Sequence, residues 1–439
     1  MIKHSIQGLA LAVCFFFAAA SSRAQGAYEF KEVINLPHTD VKNQGNTGTC
    51  WSYSTLSMLE SEVLRMGKGQ VNLSEMYIAR YIWQDKCENY VRRQGKAQLS
   101  QGGLSHDVFR AVKKYGLVPE EIYPGTNDPQ QPHNHAALEA RLIRMCDGLM
   151  ALGKEGRLSA DWRASISRTL DAELGEVPHK FTYRGTVFSP NSFVEYLGID
   201  SDQYIHLTSF SHHPYWSSFV LEVPDNYANG SYHNLPLNDL MRVINYALQK
   251  GYTLSWDADV SNDGFSKTGL AIVPDKEKAQ QNTTQKYQAF ETWEPEKQVT
   301  EAMRQEMFDR QITQDDHLMH IVGLLDEIHS GVYYLVKNSW GEKAGEEGYW
   351  RASEAYVRLN TLSVTVHRNA LPDDVLKRLG LAPGDALIQI DPGARTDRTP
   401  VSRPSKANQP AGPSRIKSGG DPAATPEQTI GGKSKSSNN

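Results

Sequence analysis

A cysteine opens a helical stretch at the end of Gln44-Gly45-Asn46-Thr47-Gly48-Thr49-Cys50-Trp51-Ser52. A thiol at a helix start meets the positive end of the helix dipole, which favours the thiolate. The glycines before it let backbone come close to a bound carbonyl. Gln44 can offer its side-chain amide beside the Cys50 N–H, and two donors aimed at one point stabilise a developing oxyanion. Such a nucleophile needs a base. His317 lies in the strand-like run Asp316-His317-Leu318-Met319-His320-Ile321-Val322-Gly323, and Asn338 follows 21 positions later in Lys337-Asn338-Ser339-Trp340-Gly341. A hairpin of this length brings Asn338 beside His317, where its oxygen can hold the ring N–H and fix the tautomer. The chemistry is acyl transfer through a thioester, and it needs no cofactor.

Other candidates read more plainly. His320 follows His317 by three positions on a strand, so the two rings face opposite sides and His320 is expected to be packed or partly exposed. The same alternation, with no cysteine ligands nearby, removes a zinc site from that pair. His133 with His135, and His212 with His213, read as loop histidines, and no metal is expected. Asp315 and Asp316 read as a solvated acidic turn.

The elements that must hold these groups are visible in the patterning. Tyr53, Leu56, Leu59, Val63 and Met66 recur at helical spacing until Gly67. A second helix is expected from Ser105 to Tyr115-Gly116. Residues 126–200 look like a mainly helical insertion, with helices over Ala136 to Leu152 and Trp162 to Leu174. From about 203 the texture turns to strands, at Tyr204 to Leu207, Thr253 to Trp256, His320 to Val322 and Val332 to Val336. Helix Leu237 to Gln249 interrupts them, and a last short helix starts after Pro372 and stops before Gly380.

The first 24 residues read as a secretory signal: Lys3 and His4, an apolar run from Leu9 to Ala20, then Ser22-Arg23-Ala24 as the cleavage site. That apolar run is too short for a bilayer span, and the expected location is periplasmic or secreted. The formal charge of -5 gives no reason to expect nucleic acid. Residues 392–439 carry eight Lys or Arg against three Asp or Glu, so the remainder carries -5 - (+5) = -10. With seven prolines beyond Asp391, residues 383–439 are expected to form a disordered tail. Removing Cys14 with the signal leaves Cys50, Cys87 and Cys146. Cys87 and Cys146 either pair or remain two buried thiols.

Together the three motifs resemble the active-site segments of papain-like cysteine peptidases. Leu73-Ser74-Glu75 resembles that family's segment after the catalytic helix, and Gly102-Gly103 its substrate-binding glycine pair, whose backbone bonds an extended peptide. Gly345-Glu346-Glu347-Gly348-Tyr349-Trp350 resembles the stretch after Asn-Ser-Trp-Gly. In the resemblance, Trp340 shields the histidine–asparagine bond, and the spacing to Gly323 selects His317 over His320. The long interval from Gly103 to His317, Asn234-Leu235-Pro236-Leu237, and Thr47 in place of a disulfide cysteine are similar to the bleomycin hydrolase and aminopeptidase C branch. The implied fold is α+β and two-lobed, over residues 25–382. A helical lobe carries the Cys50 helix, and an antiparallel β-barrel-like lobe carries His317 and Asn338. The implied substrates are peptides, and the implied assembly is a homo-hexamer. In that branch the chain terminus lies in the cleft and recognises a free amine, whereas here roughly seventy residues follow Asn369. The resemblance implies an aminopeptidase, with endopeptidase action as the alternative, and behind these stand acyl transfer to an amine and peptide binding without catalysis.

Overall fold

Every residue of helix α1 (Cys50–Arg65) from Cys50 to Val63 is buried. A helix covered all round lies between two layers rather than on one, and this one separates the two lobes in a computed structural model of the chain. The structure describes residues 27–126, 128, 131–275, 290–291 and 293–382. The expected signal and the tail lie outside them.

On one side of α1 lie α2 (Glu75–Arg92) and α3 (Ser105–Tyr115). Ser74 starts α2 by accepting the Tyr77 N–H at 3.0 Å, which satisfies one of the donors a helix leaves open at its start. Next come α4 (Ala136–Lys154) and α5 (Trp162–Leu174), then the hairpin β2 (Phe181–Tyr183) and β3 (Thr186–Phe188), and α6 (Pro190–Leu197). Leu56, Tyr77, Ile78, Val108, Leu142, Leu170 and Phe193 belong to the apolar core of this lobe. Cys87 and Cys146 are buried free thiols there, hydrogen-bonded to each other.

On the other side is a ten-stranded sheet. Its strands are β1 (Phe30–Asn35), β4 (Tyr204–Thr208), β5 (Ser218–Val220), β6 (Ser231–Asn234), β7 (Leu254–Ala258), β8 (Leu270–Ala271), β9 (His317–Glu327), β10 (Gly331–Lys337), β11 (Tyr349–Ser353) and β12 (Thr361–His367). The order is β5-β6-β4-β12-β7-β9-β10-β11-β8, with β1 also paired to β9. The expected barrel-like, antiparallel lobe is corrected on two points. The sheet stays open, and β4 with β6 and β11 with β8 run parallel. Helices α7 (Leu237–Gln249), α8 (Glu301–Asp309), α9 (Glu354–Asn360) and α10 (Asp373–Arg378) complete the described chain.

Strand alternation decides what meets α1. In β7, Leu254, Trp256 and Ala258 enter the core shared with Val243, Ile244 and Leu248 of α7. Ser255 and Asp257 therefore face the other way, and Ser255 Oγ lies 2.7 Å from Ser54 Oγ of α1. The seam between the lobes is consequently polar, and it ends at Cys50.

Candidate active site

The loop before Cys50 is pinned from both lobes. The Gln44 N–H donates to Ser339 O at 2.8 Å, and the Asn46 N–H to His133 O at 2.7 Å. A Cβ on Gly45, whose φ is +64°, would lie 2.5 Å from His133 O, so a side chain there meets both strain and a clash. The segment of His133 and His135 props this loop through backbone atoms alone, and both histidines lie outside helix and strand, as expected. Trp51 Nε1 donates to Gly48 O and Gln101 O, both at 3.0 Å, and its ring packs on Gly103.

His317 is the first residue of β9, and the turn after β10 returns Asn338 to it. His317 Nε2 lies 2.7 Å from Asn338 Oδ1, which also accepts the Ser339 N–H at 2.7 Å. A backbone N–H only donates, so that atom is the amide oxygen, and Nε2 carries the ring proton. Nδ1 is left with the lone pair. Trp340 stacks on the ring at 4.6 Å between centroids and covers this bond. Ser339 Oγ donates to Gln44 Oε1 at 2.6 Å, tying the asparagine turn to the oxyanion loop. Gln44 Nε2 donates to Thr47 O at 2.6 Å, which uses one of its two protons.

The Cys50 sulfur accepts the backbone N–H groups of Trp51 and of Leu318, the residue next to His317. Cys50, Gln44, His317 and Asn338 therefore meet at one end of the seam. Burial pushes the Cys50 thiol up to about 12, against the pull of those two N–H groups. Burial also brings His317 down to about 4, against its bond to Asn338. Desolvation in the closed site thus opposes the thiolate that the helix dipole favours.

His320 takes a different path. It is buried against α1, with Nδ1 2.8 Å from Ser57 Oγ. The expected acidic turn is not simply solvated either. Asp315 Oδ2 accepts the Asp225 N–H at 2.9 Å, and Asp316 Oδ2 accepts the Ser261 N–H at 3.0 Å. Gly102 is covered by the Asp225 carboxylate, which leaves no space for a Cβ. Lys86 Nζ donates to Gly102 O and, at 2.9 Å, to Ser100 O. Asp225 carries no signal in the sequence. Asp257 did carry one, as a carboxylate within the short strand β7, Leu254–Ala258. His212 and His213 converge on Glu222, at 3.1 and 2.8 Å. Among the described residues this is the one group with the makings of a metal site.

The chain belongs to the Peptidase C1-like family, whose sequence profile matches residues 14–392. It is similar to Aminopeptidase G of Lactobacillus delbrueckii subsp. lactis, with 26% identity over 84% of this chain and 91% of that protein. Aminopeptidase E of Lactobacillus helveticus shows 26% identity, covering 81% and 87% of the two chains. The crystal structure of PepW from Lactobacillus rhamnosis HN001 shares the fold, with a TM-score of 0.63 at 22% identity over 81% of this chain and 87% of that one. The family, the α+β fold and the cysteine-peptidase class agree with the motifs read from the sequence.

Proposed function

We propose that this chain is an exported cysteine aminopeptidase working through Cys50, His317 and Asn338. The supporting observation is the pairing of two contacts. Leu318 N–H reaches the Cys50 sulfur, while His317 turns its protonated nitrogen to Asn338. Nδ1 of His317 then takes the thiol proton as sulfur bonds to the substrate carbonyl carbon. Cys50 N–H and the second Nε2 proton of Gln44 hold the oxyanion. When the C–N bond breaks, Nδ1 returns the proton to the leaving amine, and the acyl group stays on sulfur as a thioester. Water then attacks, gives a proton to Nδ1, and the acid leaves as Cys50 recovers its hydrogen.

The aminopeptidase reading rests on the relatives' names and on the cover over Gly102. With Asp225 against that glycine, an extended peptide has little room on the acyl side of Cys50. The test compares wild type and Cys50→Ala on leucyl-aminomethylcoumarin and its N-acetyl form. The reading expects hydrolysis of the free-amine substrate by wild type alone. Equal rates on both substrates would make the enzyme an endopeptidase, and activity in the variant would remove Cys50. Export rests on the first 24 residues, and its test is an N-terminus at Gln25 on protein recovered outside the cytoplasm.

A further inference from the structure

Resting on the aminopeptidase reading, we propose that Asp257, Asp225 and Asp315 form the pocket that receives the α-ammonium group of the substrate's first residue. Two bonds separate an α-nitrogen from the carbonyl carbon that sulfur attacks. Whatever reads that nitrogen must therefore stand immediately beside Cys50. Asp257 does. It pairs with Leu318 across β7 and β9, and Leu318 is the residue whose N–H reaches the sulfur. It lies on the face of β7 that Ser255 turns toward α1, so its carboxylate points into the seam at the Cys50 end. It is 1% exposed. Oδ2 accepts Ser363 Oγ at 3.2 Å, but Oδ1 has no hydrogen-bond partner. A buried carboxylate oxygen left unpaired is costly, and a cation arriving with substrate removes that cost.

The other two carboxylates come from different directions. Asp225 sits in the loop between β5 and β6, against Gly102, and Gln98 Nε2 donates to its Oδ1 at 2.7 Å. Its backbone N–H holds Asp315, two positions before His317. The loop thus joins the Gly102 segment of the helical lobe to the β9 entrance of the sheet lobe and limits what can extend past an N-terminal residue. Both Asp225 and Asp257 act electrostatically on the Cys50 sulfur. Lys86 is the one cation described near the group, and its Nζ is engaged with the Ser100 and Gly102 carbonyls. Burial pushes up all three carboxyl groups, with mutual repulsion adding to it at Asp257 and Asp315, and Asp315 reaches about 7. An ammonium among them would relieve both terms. In this account side chains read the amine, and no chain terminus is required in the cleft.

The test measures kcat/KM for wild type, Asp257→Asn and Asp225→Asn on leucyl-, N-acetyl-leucyl- and N-acetyl-lysyl-aminomethylcoumarin. Asp225→Asn covers the case in which the buried Asp257→Asn fails to fold. Removing one partner of a buried charge pair predicts a loss of about 30-fold or more on the free-amine substrate, carried mainly by KM. The preference for the free-amine over the acetylated leucyl substrate should shrink by the same factor, while Cys50 remains open to alkylation by iodoacetamide in both variants. Equal losses on all substrates would overturn the pocket. So would efficient cleavage of the N-acetyl-lysyl substrate that the variants lose, since the cation read would then be a side chain. A wild-type preference for free amines that persists in both variants removes the pocket and leaves the aminopeptidase reading standing. Absence of any preference in wild type removes both.

Discussion

The polar seam between the lobes has a front and a rear, and they are built differently from similar material. At the rear, Lys337 Nζ donates to Thr39 Oγ1 at 3.0 Å and to Ser57 Oγ at 2.8 Å. Thr39 donates to Glu60 at 2.5 Å, and Lys42 lies 3.1 Å from Glu60 and 2.5 Å from Glu75. His320 joins through Ser57. These bonds spend the groups on one another. At the front, bonds fix Nε2 of His317 and one proton of Gln44 while Nδ1, the second Gln44 proton and the Cys50 thiol remain for substrate. Burial does not separate the two regions, since His317 and His320 are both held well below their ordinary range by it. What separates them is the partner. A histidine whose N–H is held by an amide oxygen, and which starts its strand at a helix N-terminus, is set for proton transfer. One lodged on the helix flank holds the lobes together.

This contrast is sharpest at the nucleophile. Cys50→Ala should lower peptide hydrolysis on the order of 10⁴-fold or more, with its unfolding midpoint within a few degrees of wild type. Activity surviving that change would place the chemistry elsewhere. Asn338→Ala should cost less, about 10- to 100-fold in kcat, because the ring loses its fixed tautomer but keeps its stacking on Trp340. Rear substitutions should invert this pattern. Lys337→Met and His320→Phe are expected to hold kcat/KM within about threefold while shifting stability by about 1–3 kcal/mol, read from urea midpoints. A rear variant that kills turnover without destabilising would erase the distinction.

The smallest effect concerns pH and stability. Burial brings His317, His135 and His367 to about 4 and His206 to about 3. Below about 6.5 the unfolded chain binds protons that the native chain refuses, so stability is full above that value and falls as pH drops toward 4. The raised carboxyl groups Asp225, Asp257 and Asp315 act in the opposite sense over the same range, so the rings' share is read by difference. The urea midpoint should fall more from pH 7 to pH 5 in wild type than in His206→Asn, and an equal fall would contradict the burial of that ring as a neutral group.

Much of this front region was legible from residue order, because its demands are local. A thiol after a glycine-rich turn, a histidine opening a strand and an asparagine closing the hairpin each leave a short signature. α7 also spans its expected residues, Leu237 to Gln249, since its apolar face repeats cleanly. α8 and α9 were not foreseen. They are short, and only their caps marked them: Thr300 accepts the Met303 N–H and Ser353 the Tyr356 N–H. The course of the sheet was also hidden, because nothing local forces β4 beside β12 or keeps the edges apart. The carboxylate group is the extreme case. Asp225 and Asp257 come from separate parts of the sheet lobe, and of the two only Asp257 left a trace, as a carboxylate within a strand.

The most direct measurement is the pH dependence of Cys50 alkylation by iodoacetamide in wild type and in His317→Ala. If Nδ1 takes the thiol proton, wild type should react at a steady rate down to about pH 4, where His317 becomes protonated. His317→Ala should lose that plateau and react only as the pH rises into the alkaline range, as an unassisted thiol. The same pH curve in both proteins would contradict the account, because the imidazole would then have no part in activating the sulfur.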